Sequence, residues 1–228
     1  MDDHDLLDRL GAFITPHKRA LFDRLAPQRT RHVTVVLEDL HQAHNASAVL
    51  RTCDLLGIQD VHAIESRNRF TANKEIALGS DKWTTVHRYG GPEGAMQCIT
   101  ALRERGHRIV ATTPHAEAWT PENVPIDRPI AFCFGTELQG LSNELIAACD
   151  GALRIPMHGF TESYNISVSA GIVLYTVMQR LRASTVPWRL DERALDALKL
   201  QWTRAALHDA QAIEERLRGD AARGPSSF

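Results

Sequence analysis

The sequence lacks the glycine-rich turns with which many proteins bind nucleotide phosphates. Neither G-x-G-x-x-G nor G-x-x-x-x-G-K occurs in its 228 residues, although close approach of a backbone to phosphate usually needs glycine. The first β-branched run, Val33 to Leu37, is followed instead by the polar stretch Glu38 to Asn45. The sequence therefore argues against a dinucleotide dehydrogenase or a P-loop enzyme.

Paired cysteines and an apolar leader are also missing. The four cysteines, at positions 53, 98, 133 and 149, form no C-x-x-C pair and lie inside apolar runs, which is typical of reduced thiols. Residues 1–10 are rich in acidic side chains and contain no long apolar run. They therefore predict neither a signal peptide nor a membrane span. We expect a cytoplasmic protein with no membrane partner. No metal is expected, because His41 and His44 lack a nearby third ligand.

An excess of positive charge, the usual footprint of a nucleic-acid-binding domain, is absent from the chain as a whole. Its formal net charge is -2, which gives no support for RNA or DNA as a partner. Basic residues do cluster near both ends: Lys18, Arg19, Arg24, Arg29 and Arg31, and then Arg180, Arg182, Arg189 and Arg193. These clusters fit either solvated helix faces or a surface that binds phosphates.

The chain does contain regularly spaced β-branched runs with helical patterns between them. This alternation predicts an α/β protein with a mostly parallel sheet and helices on both of its faces. The predicted strands are Val33 to Leu37, Val61 to Glu65, Thr84 to Tyr89, Arg108 to Thr112, Ile130 to Phe134 and Ala152 to Ile155. The predicted helices of this core are Ala46 to Leu56, Glu93 to Arg105, Asn143 to Ala148 and Ile166 to Leu181.

Helical patterns at both ends predict extensions of the core. The first residues have helical spacing that breaks near Pro16, and a single long helix is predicted from Glu192 to Leu217. We therefore divide the chain into an N-terminal helical extension (1–30), a core (31–182) and a C-terminal helical extension (183–228).

Within the core, residues 163–169 alternate between polar and apolar side chains like a strand, but the apolar run that follows is too long for a strand. We expect a loop that ends near Asn165 and a buried helix after it.

Three polar segments lie where strands end or helices begin. In the first, residues 44–51, Asn45 could cap a helix and Arg51 could pair with Asp54 one turn on. In the second, residues 134–142, two glycines leave backbone amides free to face a ligand, although a plain strand-to-helix loop capped by Ser142 fits equally well. The third segment, residues 155–165, could place its serines as helix caps or in a site.

Taken in order, the three segments resemble the SpoU/TrmH family of RNA ribose methyltransferases. The pattern N-x-x-A-x-x-R is met by Asn45, Ala48 and Arg51, the glycine-glutamate-glycine element by Gly135, Glu137 and Gly140, and the last motif by Ile155, Pro156, Met157, Ser163, Asn165 and Ser167. The resemblance covers residues 31–182, and residues 37–45 look closest to the tRNA branch that modifies a D-loop guanosine. Ala43 and Tyr164 depart from the family pattern, which usually has proline and leucine there.

The resemblance implies a fold and a cofactor that periodicity cannot reveal. Members of this family have a deep trefoil knot in the C-terminal part of the core, although knots are nearly absent from folds in general. The loops of the knot hold S-adenosylmethionine in a bent shape. By position, the resemblance assigns that pocket to Thr113, Gly135, Ile155, Met157 and Tyr164.

The resemblance also implies the reaction, which methylates a ribose 2'-hydroxyl without a metal. It gives Arg51 the role of proton acceptor and assigns supporting roles to Asn45, Glu137, Ser163 and Asn165. Holding a guanidinium neutral at pH 7 costs about 7 to 9 kcal/mol. A cationic Arg51 that stabilises the developing oxyanion avoids that cost, and both roles stay open.

Family members act as dimers, so the resemblance implies a homodimer to which the apolar helix from Ile166 to Met178 could contribute. Its RNA partner, most simply tRNA, would be bound by Lys18, Arg19, Arg24 and Arg31, because phosphate contacts supply much of the affinity for RNA. Two alternatives remain. The first is a methyltransferase of ribosomal RNA, which the absence of a separate RNA-binding domain disfavours. The second is a catalytically silent RNA-binding protein, which the joint presence of the catalytic-type residues disfavours.

Overall fold

Six strands form a single sheet in the computed structural model, which describes residues 2–71, 73–114, 119–136 and 139–223. The strands are β1 (Val33–Glu38), β2 (Asp60–Glu65), β3 (Thr85–Gly90), β4 (Arg108–Thr112), β5 (Ile130–Phe134) and β6 (Gly151–Leu153). Their order across the sheet is β3-β2-β1-β5-β4-β6, and every neighbouring pair is parallel. The prediction of an α/β protein with a mostly parallel sheet is confirmed.

Ten α-helices are found in the described residues. They are α1 (Asp3–Gly11), α2 (Pro16–Leu25), α3 (Ala43–Leu56), α4 (Lys74–Ala77), α5 (Ser80–Trp83), α6 (Gly94–Glu104), α7 (Asn143–Ala148), α8 (Ile166–Ala183), α9 (Glu192–Ala206) and α10 (Ala210–Arg223). In the described parts of the chain, none of them has the length and hydropathy of a membrane-spanning helix. By packing, the chain divides into a unit of residues 30–188 and a second unit made of its two ends.

The central strand β1 sends alternate side chains into two apolar layers. Val33, Val35 and Leu37 point into a layer that they share with α3 and α8, and Val36 points into a layer shared with α6 and α7. Successive side chains of a strand point to opposite faces, so a strand that is buried along its whole length needs cover on both sides. Helices on both faces of the sheet, as predicted, supply that cover.

Helix α8 starts where the sequence predicted, after a loop that ends at Asn165. The Asn165 side chain caps the helix, because its Oδ1 accepts a hydrogen bond from the Ser167 N–H at 2.9 Å. The inner side of α8 is fully buried at Val173, Leu174 and Val177. Burial of each such side chain contributes about 1.5 to 3 kcal/mol, so packing against α3 and the sheet fixes this helix.

The predicted cap of α3 was wrong. The helix begins at Ala43, and Gln42 occupies the N-cap position without a side-chain cap. Asn45 lies inside the first turn and is 3% exposed. Its Nδ2 donates to Gln42 Oε1 at 3.2 Å, so the amide faces the protein interior instead of capping the helix.

The described residues of the two chain ends, 2–29 and 189–223, form the helical unit. Leu6 and Leu10 of α1 pack with Leu200 of α9, which gives this unit a small core of its own. The single helix predicted from Glu192 to Leu217 is in fact two helices, because Leu207 has extended backbone angles (φ -98, ψ 142). Arg204 then donates to both carboxylate oxygens of Glu214 at 2.9 Å, which joins α9 to α10.

One buried histidine in the sheet is held neutral by its surroundings. His62 is 1% exposed and stacks between the rings of His87 and Tyr89. Its Nδ1 lies 3.0 Å from the Tyr89 hydroxyl, whereas its Nε2 has no hydrogen-bond partner among the described residues. Burial, reinforced by the nearby His87, lowers the pKa of His62 from 6.5 to about 3.

We expect His62 to make the protein less stable in mild acid. Its pKa is lower in the folded state than in the unfolded state, so the unfolded chain takes up the proton first as the pH falls below 6.5. The free energy of unfolding should drop by about 2 kcal/mol between pH 7 and pH 5 through this group. Urea unfolding at both pH values should show that a His62→Phe variant, which keeps the stacked ring, loses less stability than wild type. Replacement of the exposed His158 by phenylalanine is the control; equal acid sensitivity in all three proteins would contradict the account.

Candidate active site

A cavity of about 460 Å³ lies at the carboxyl edge of the sheet. Three neighbouring strands, β5, β4 and β6, end there, and the residues that follow them form its walls. Ligands of open parallel sheets bind at this edge, and the volume is that of a small-molecule site. The described lining residues are Thr112, Thr113, Pro114, Phe134, Gly135, Thr136, Gln139, Gly140, Leu141, Asn143, Ile146, Leu153, Ile155, Met157, Glu162, Ser163, Tyr164, Ile166 and Ser169.

All five residues predicted to bind a cofactor line this one cavity: Thr113, Gly135, Ile155, Met157 and Tyr164. Ser163, predicted to be catalytic, lines it too. Asn45 and Arg51 lie outside its described wall, on α3. Asn165, the cap of α8, is outside that wall as well. The fifth predicted catalytic residue, Glu137, lies outside the described residues. The roles of all these side chains stay predictions.

The loop after β5 needs glycine at positions 135 and 140. A Cβ atom on Gly135 would lie 2.1 Å from the carbonyl carbon and oxygen of Gly140. Thr136 and Gly140 exchange two backbone hydrogen bonds of 3.1 and 2.9 Å, and Gly140 itself has φ +66, which L side chains rarely adopt. The loop therefore folds back on itself tightly and presents main chain to the cavity.

A hydrogen bond joins the first and third polar segments. The Nδ2 of Asn165 donates to the Oδ1 of Asn45 at 3.2 Å. Asn165 is itself oriented by the Ser167 hydroxyl, which donates to its Oδ1 at 2.6 Å. The bond places α3, which carries Arg51, beside the cavity wall that contains Ser163.

Arg51 is exposed, and the ion pair with Asp54 suggested by its spacing does not form. No hydrogen bond or ion pair joins the Arg51 guanidinium to the part of the chain that the structure describes. All five of its N–H donors can therefore face an external ligand. An exposed, unpaired guanidinium on the helix that is joined to the cavity wall suits recognition of an anion.

Two carboxylates at the end of β1 shape the site, and sequence reasoning did not single them out. Glu38 is 5% exposed. Its Oε2 accepts from the Ser142 N–H at 2.7 Å and its Oε1 from the Ser142 hydroxyl at 2.6 Å. Ser142 in turn caps α7, as predicted, and α7 contributes Asn143 and Ile146 to the cavity wall. An acidic residue at the end of an apolar strand was the available signal.

The neighbouring Asp39 holds the loop between β2 and α4. It is 3% exposed and has φ 50. Its Oδ1 accepts from the backbone N–H groups of Arg67 (2.8 Å) and Asn68 (3.2 Å). Arg67 also donates from Nη1 to the Oε1 of Gln139 at 3.0 Å. Because Gln139 lines the cavity, Asp39 connects the cavity to this loop.

In the described ranges, no group of three or more histidine, cysteine, aspartate or glutamate side chains could hold a metal ion. The Nδ1 of His41 lies 3.3 Å from the Oδ1 of Asn68, and His44 is exposed. The four cysteines are all free.

The described geometry is that of an α/β protein with a small-molecule cavity at the carboxyl edge of its sheet, and comparison with known proteins identifies the family. Residues 32–175 match the model of the SpoU rRNA Methylase family. The chain belongs to this family.

Two similar proteins cover most of the chain. A tRNA (guanosine(18)-2'-O)-methyltransferase of Borreliella burgdorferi is 42% identical over 94% of this chain and 98% of its own length. The protein of the same name from Thermus thermophilus is 34% identical over 83% of this chain and 97% of its own length. Among solved structures, the TrmH/SpoU tRNA modifying enzyme of A. aeolicus superposes with a TM-score of 0.74, at 27% identity, over 84% of this chain and 97% of that one.

Proposed function

We propose that the protein transfers a methyl group from S-adenosylmethionine to a ribose 2'-hydroxyl of RNA, and that this ribose belongs to a guanosine in the D-loop of tRNA. The proposal rests mainly on one observation: the hydrogen bond between Asn165 and Asn45 holds α3 beside the cavity. It sets a small-molecule cavity beside an unpaired, exposed guanidinium. The two relatives that share most of the chain are named for this reaction on guanosine 18 of tRNA.

The cavity fits S-adenosylmethionine in size and in chemistry. Its volume of about 460 Å³ suits a nucleoside with an amino-acid arm. Ile155 and Met157 offer apolar contacts for an adenine ring, and the tight loop at Gly135 brings backbone groups to the same wall. When bound, S-adenosylmethionine supplies an activated methyl group and a neutral thioether as the leaving group. Thr113 and Tyr164 complete the set that would hold it.

Arg51 is the group we propose for stabilising the 2'-oxygen as it becomes negative. The side chain is exposed and makes no ion pair in the described structure, so its guanidinium is free to bind an external anion. A charged guanidinium can bind the phosphate next to the reacting ribose and donate to the developing oxyanion. Asn165, held by Asn45 and Ser167, and the adjacent Ser163 would orient the ribose or the cofactor. Glu137 is proposed to hold the loop on which it lies.

We also propose a trefoil knot, because the chain resembles a family whose members have one. The superposition on the A. aeolicus enzyme, at a TM-score of 0.74, supports it. The division into an N-terminal extension (1–30), a core (31–182) and a C-terminal extension (183–228) is part of the same proposal, as is a cytoplasmic location, which four free cysteines favour.

A homodimer is also proposed, because the outer face of α8 exposes apolar side chains. Val168 is 47% exposed and Tyr175, two turns later on the same face, is 58% exposed, whereas the opposite face is buried in the core. Just before the helix, Tyr164 is 43% exposed. Contiguous exposed apolar surface marks a contact site on many soluble proteins. A second copy of the chain is the partner that the family likeness implies.

The helical unit is proposed to bind the body of the tRNA. Of the four basic residues predicted to bind tRNA, Arg31 lies outside this unit and pairs with Asp60. Within the unit, Arg19 donates to Asp8, whereas Lys18 and Arg24 make no side-chain ion pair in the described structure. The later basic cluster is partly structural, because Arg180 and Arg182 donate to backbone carbonyl groups. Lys18 and Arg24 are therefore the strongest candidates for phosphate contacts.

An Arg51→Ala variant tests the proposed chemistry. It should fold and bind S-adenosylmethionine like wild type, while methyl transfer to tRNA falls by about 100- to 1,000-fold, as is typical when one oxyanion donor is lost. In Arg51→Lys, a role as base predicts activity that rises as the lysine loses its proton at alkaline pH. A purely electrostatic role predicts no such rise, because a lysine that loses its proton also loses the charge that stabilises the oxyanion. Arg105→Ala, an exposed arginine at the opposite edge of the sheet, is the control. Near wild-type transfer by Arg51→Ala would overturn the assignment.

Light scattering tests the dimer. The wild-type protein should have twice the chain mass of 25.4 kDa at micromolar concentration. Replacing both Val168 and Tyr175 with glutamate should shift it to the monomer, because two charges would have to be buried in the interface. Leu55→Glu, at an exposed leucine of α3, should leave the mass unchanged. A monomeric wild type contradicts the proposal.

Removal of two charges tests the helical unit. A Lys18→Ala, Arg24→Ala double variant should bind tRNA several-fold more weakly and show a smaller salt dependence, because released counterions drive much of such binding. Its affinity for S-adenosylmethionine should not change. Unaltered tRNA affinity, measured by fluorescence anisotropy next to Arg105→Ala, would exclude these side chains from the interface.

A further inference from the structure

Three exposed arginines lie on, or reach, the loop that follows β2. Arg67 and Arg69 belong to the loop itself, and Arg88 reaches it from β3. Arg88 donates from Nη1 to the carbonyl of Phe70 at 2.9 Å and lies over the Phe70 ring. The side chains of Arg67 and Arg88 are 61% and 52% exposed, and Arg69 is exposed as well. We call these three residues the arginine cluster.

Polar anchors fix the loop that bears the cluster. Besides Asp39, which binds the backbone at Arg67 and Asn68, the Oε1 of Glu65 accepts from the Phe70 N–H at 2.8 Å. Farther along, the Asn73 N–H donates to the Ser47 hydroxyl at 2.7 Å. A loop held at three points has already lost the conformational freedom that a ligand would otherwise have to remove.

The loop lies between the two parts of the candidate active site. At one end, Asn73 contacts Ser47 on α3, one helical turn before Arg51. At the other, Arg67 donates to Gln139 in the cavity wall. An RNA strand that presents a ribose to Arg51 and to the cavity would therefore bring its neighbouring phosphates to this loop.

The charges of the loop are divided between its inside and its outside. The carboxylates that pair with the cluster face inward, since the side chain of Asp39 is 4% exposed and that of Glu65 is 16% exposed. The guanidinium groups face solvent. Arg67 and Arg88 keep N–H donors that no described residue uses, and Arg69 has no hydrogen bond or ion pair with the described chain. The outer surface is thus cationic and rich in donors suited to phosphate.

We propose that the arginine cluster binds the RNA phosphates that flank the target ribose, as a contact site separate from the basic residues of the helical unit. The inference rests on the proposed function, because it takes RNA as the substrate. In this arrangement the cluster sets the path of the backbone past the catalytic arginine. The helical unit contributes affinity elsewhere on the tRNA.

Arg69→Ala is the most direct test, because this side chain has no described partner whose loss could disturb the fold. At about 0.1 M salt the dissociation constant for an unmodified tRNA transcript should rise about two- to fivefold, the range expected for one exposed ionic contact. The slope of log affinity against log salt should shrink by about 0.7 to 0.9, the value of one phosphate contact. The KM for tRNA should rise, while kcat and the affinity for S-adenosylmethionine stay at wild-type values. Arg69→Lys should restore most of the salt slope.

Arg105→Ala is the matched control, since it removes the same charge from an exposed position at the amino edge of the sheet and should leave every readout unchanged. An Arg69→Ala protein with the salt slope and KM of wild type would overturn the proposal, and so would an equal loss in Arg105→Ala. The binding measurement needs no turnover. If wild type binds tRNA but transfers no methyl group, the proposed function fails while the salt slope still decides whether the cluster contacts RNA.

Discussion

The two buried carboxylates at the end of β1 are the interactions on which the geometry of the site depends. Glu38 fixes the start of α7 through Ser142, and Asp39 fixes the loop after β2 through Arg67 and Asn68. A buried carboxylate is tolerated only when hydrogen bonds replace the water that it loses. Each of these groups meets that condition by binding backbone N–H groups of a different loop. One strand end thereby positions the cavity wall on one side and the arginine cluster on the other.

Because of these hydrogen bonds, different segments form the two parts of the candidate site along the carboxyl edge of the sheet. Parallel strands bring their ends to one edge, so segments far apart in sequence meet there. The cavity is built by the ends of β4, β5 and β6, and Arg51, the proposed catalytic residue, lies on the helix after β1. The hydrogen bond between Asn165 and Asn45 connects the two. Under the proposed function, the cofactor in the cavity and the RNA would meet at Arg51.

Much of this arrangement was predictable, because it follows from patterns that the sequence displays. Most of the strands are separated by helices, and β4 and β5 have the predicted bounds. The five residues assigned to the cofactor by resemblance lie on one cavity wall. What could not be predicted depends on side-chain direction and tertiary packing. Asn45 turns inward rather than capping α3, and Leu207 breaks the last helical pattern although its composition favours continuation.

The position of the methyl group on RNA tests the central claim most directly. The protein is incubated with labelled S-adenosylmethionine and an unmodified tRNA transcript, and the product is digested with nucleases and mapped. The account predicts label in a single D-loop guanosine, on the ribose, so that the adjacent phosphodiester resists alkaline hydrolysis. Label on a base, or no transfer to tRNA while ribosomal RNA is methylated, would contradict it.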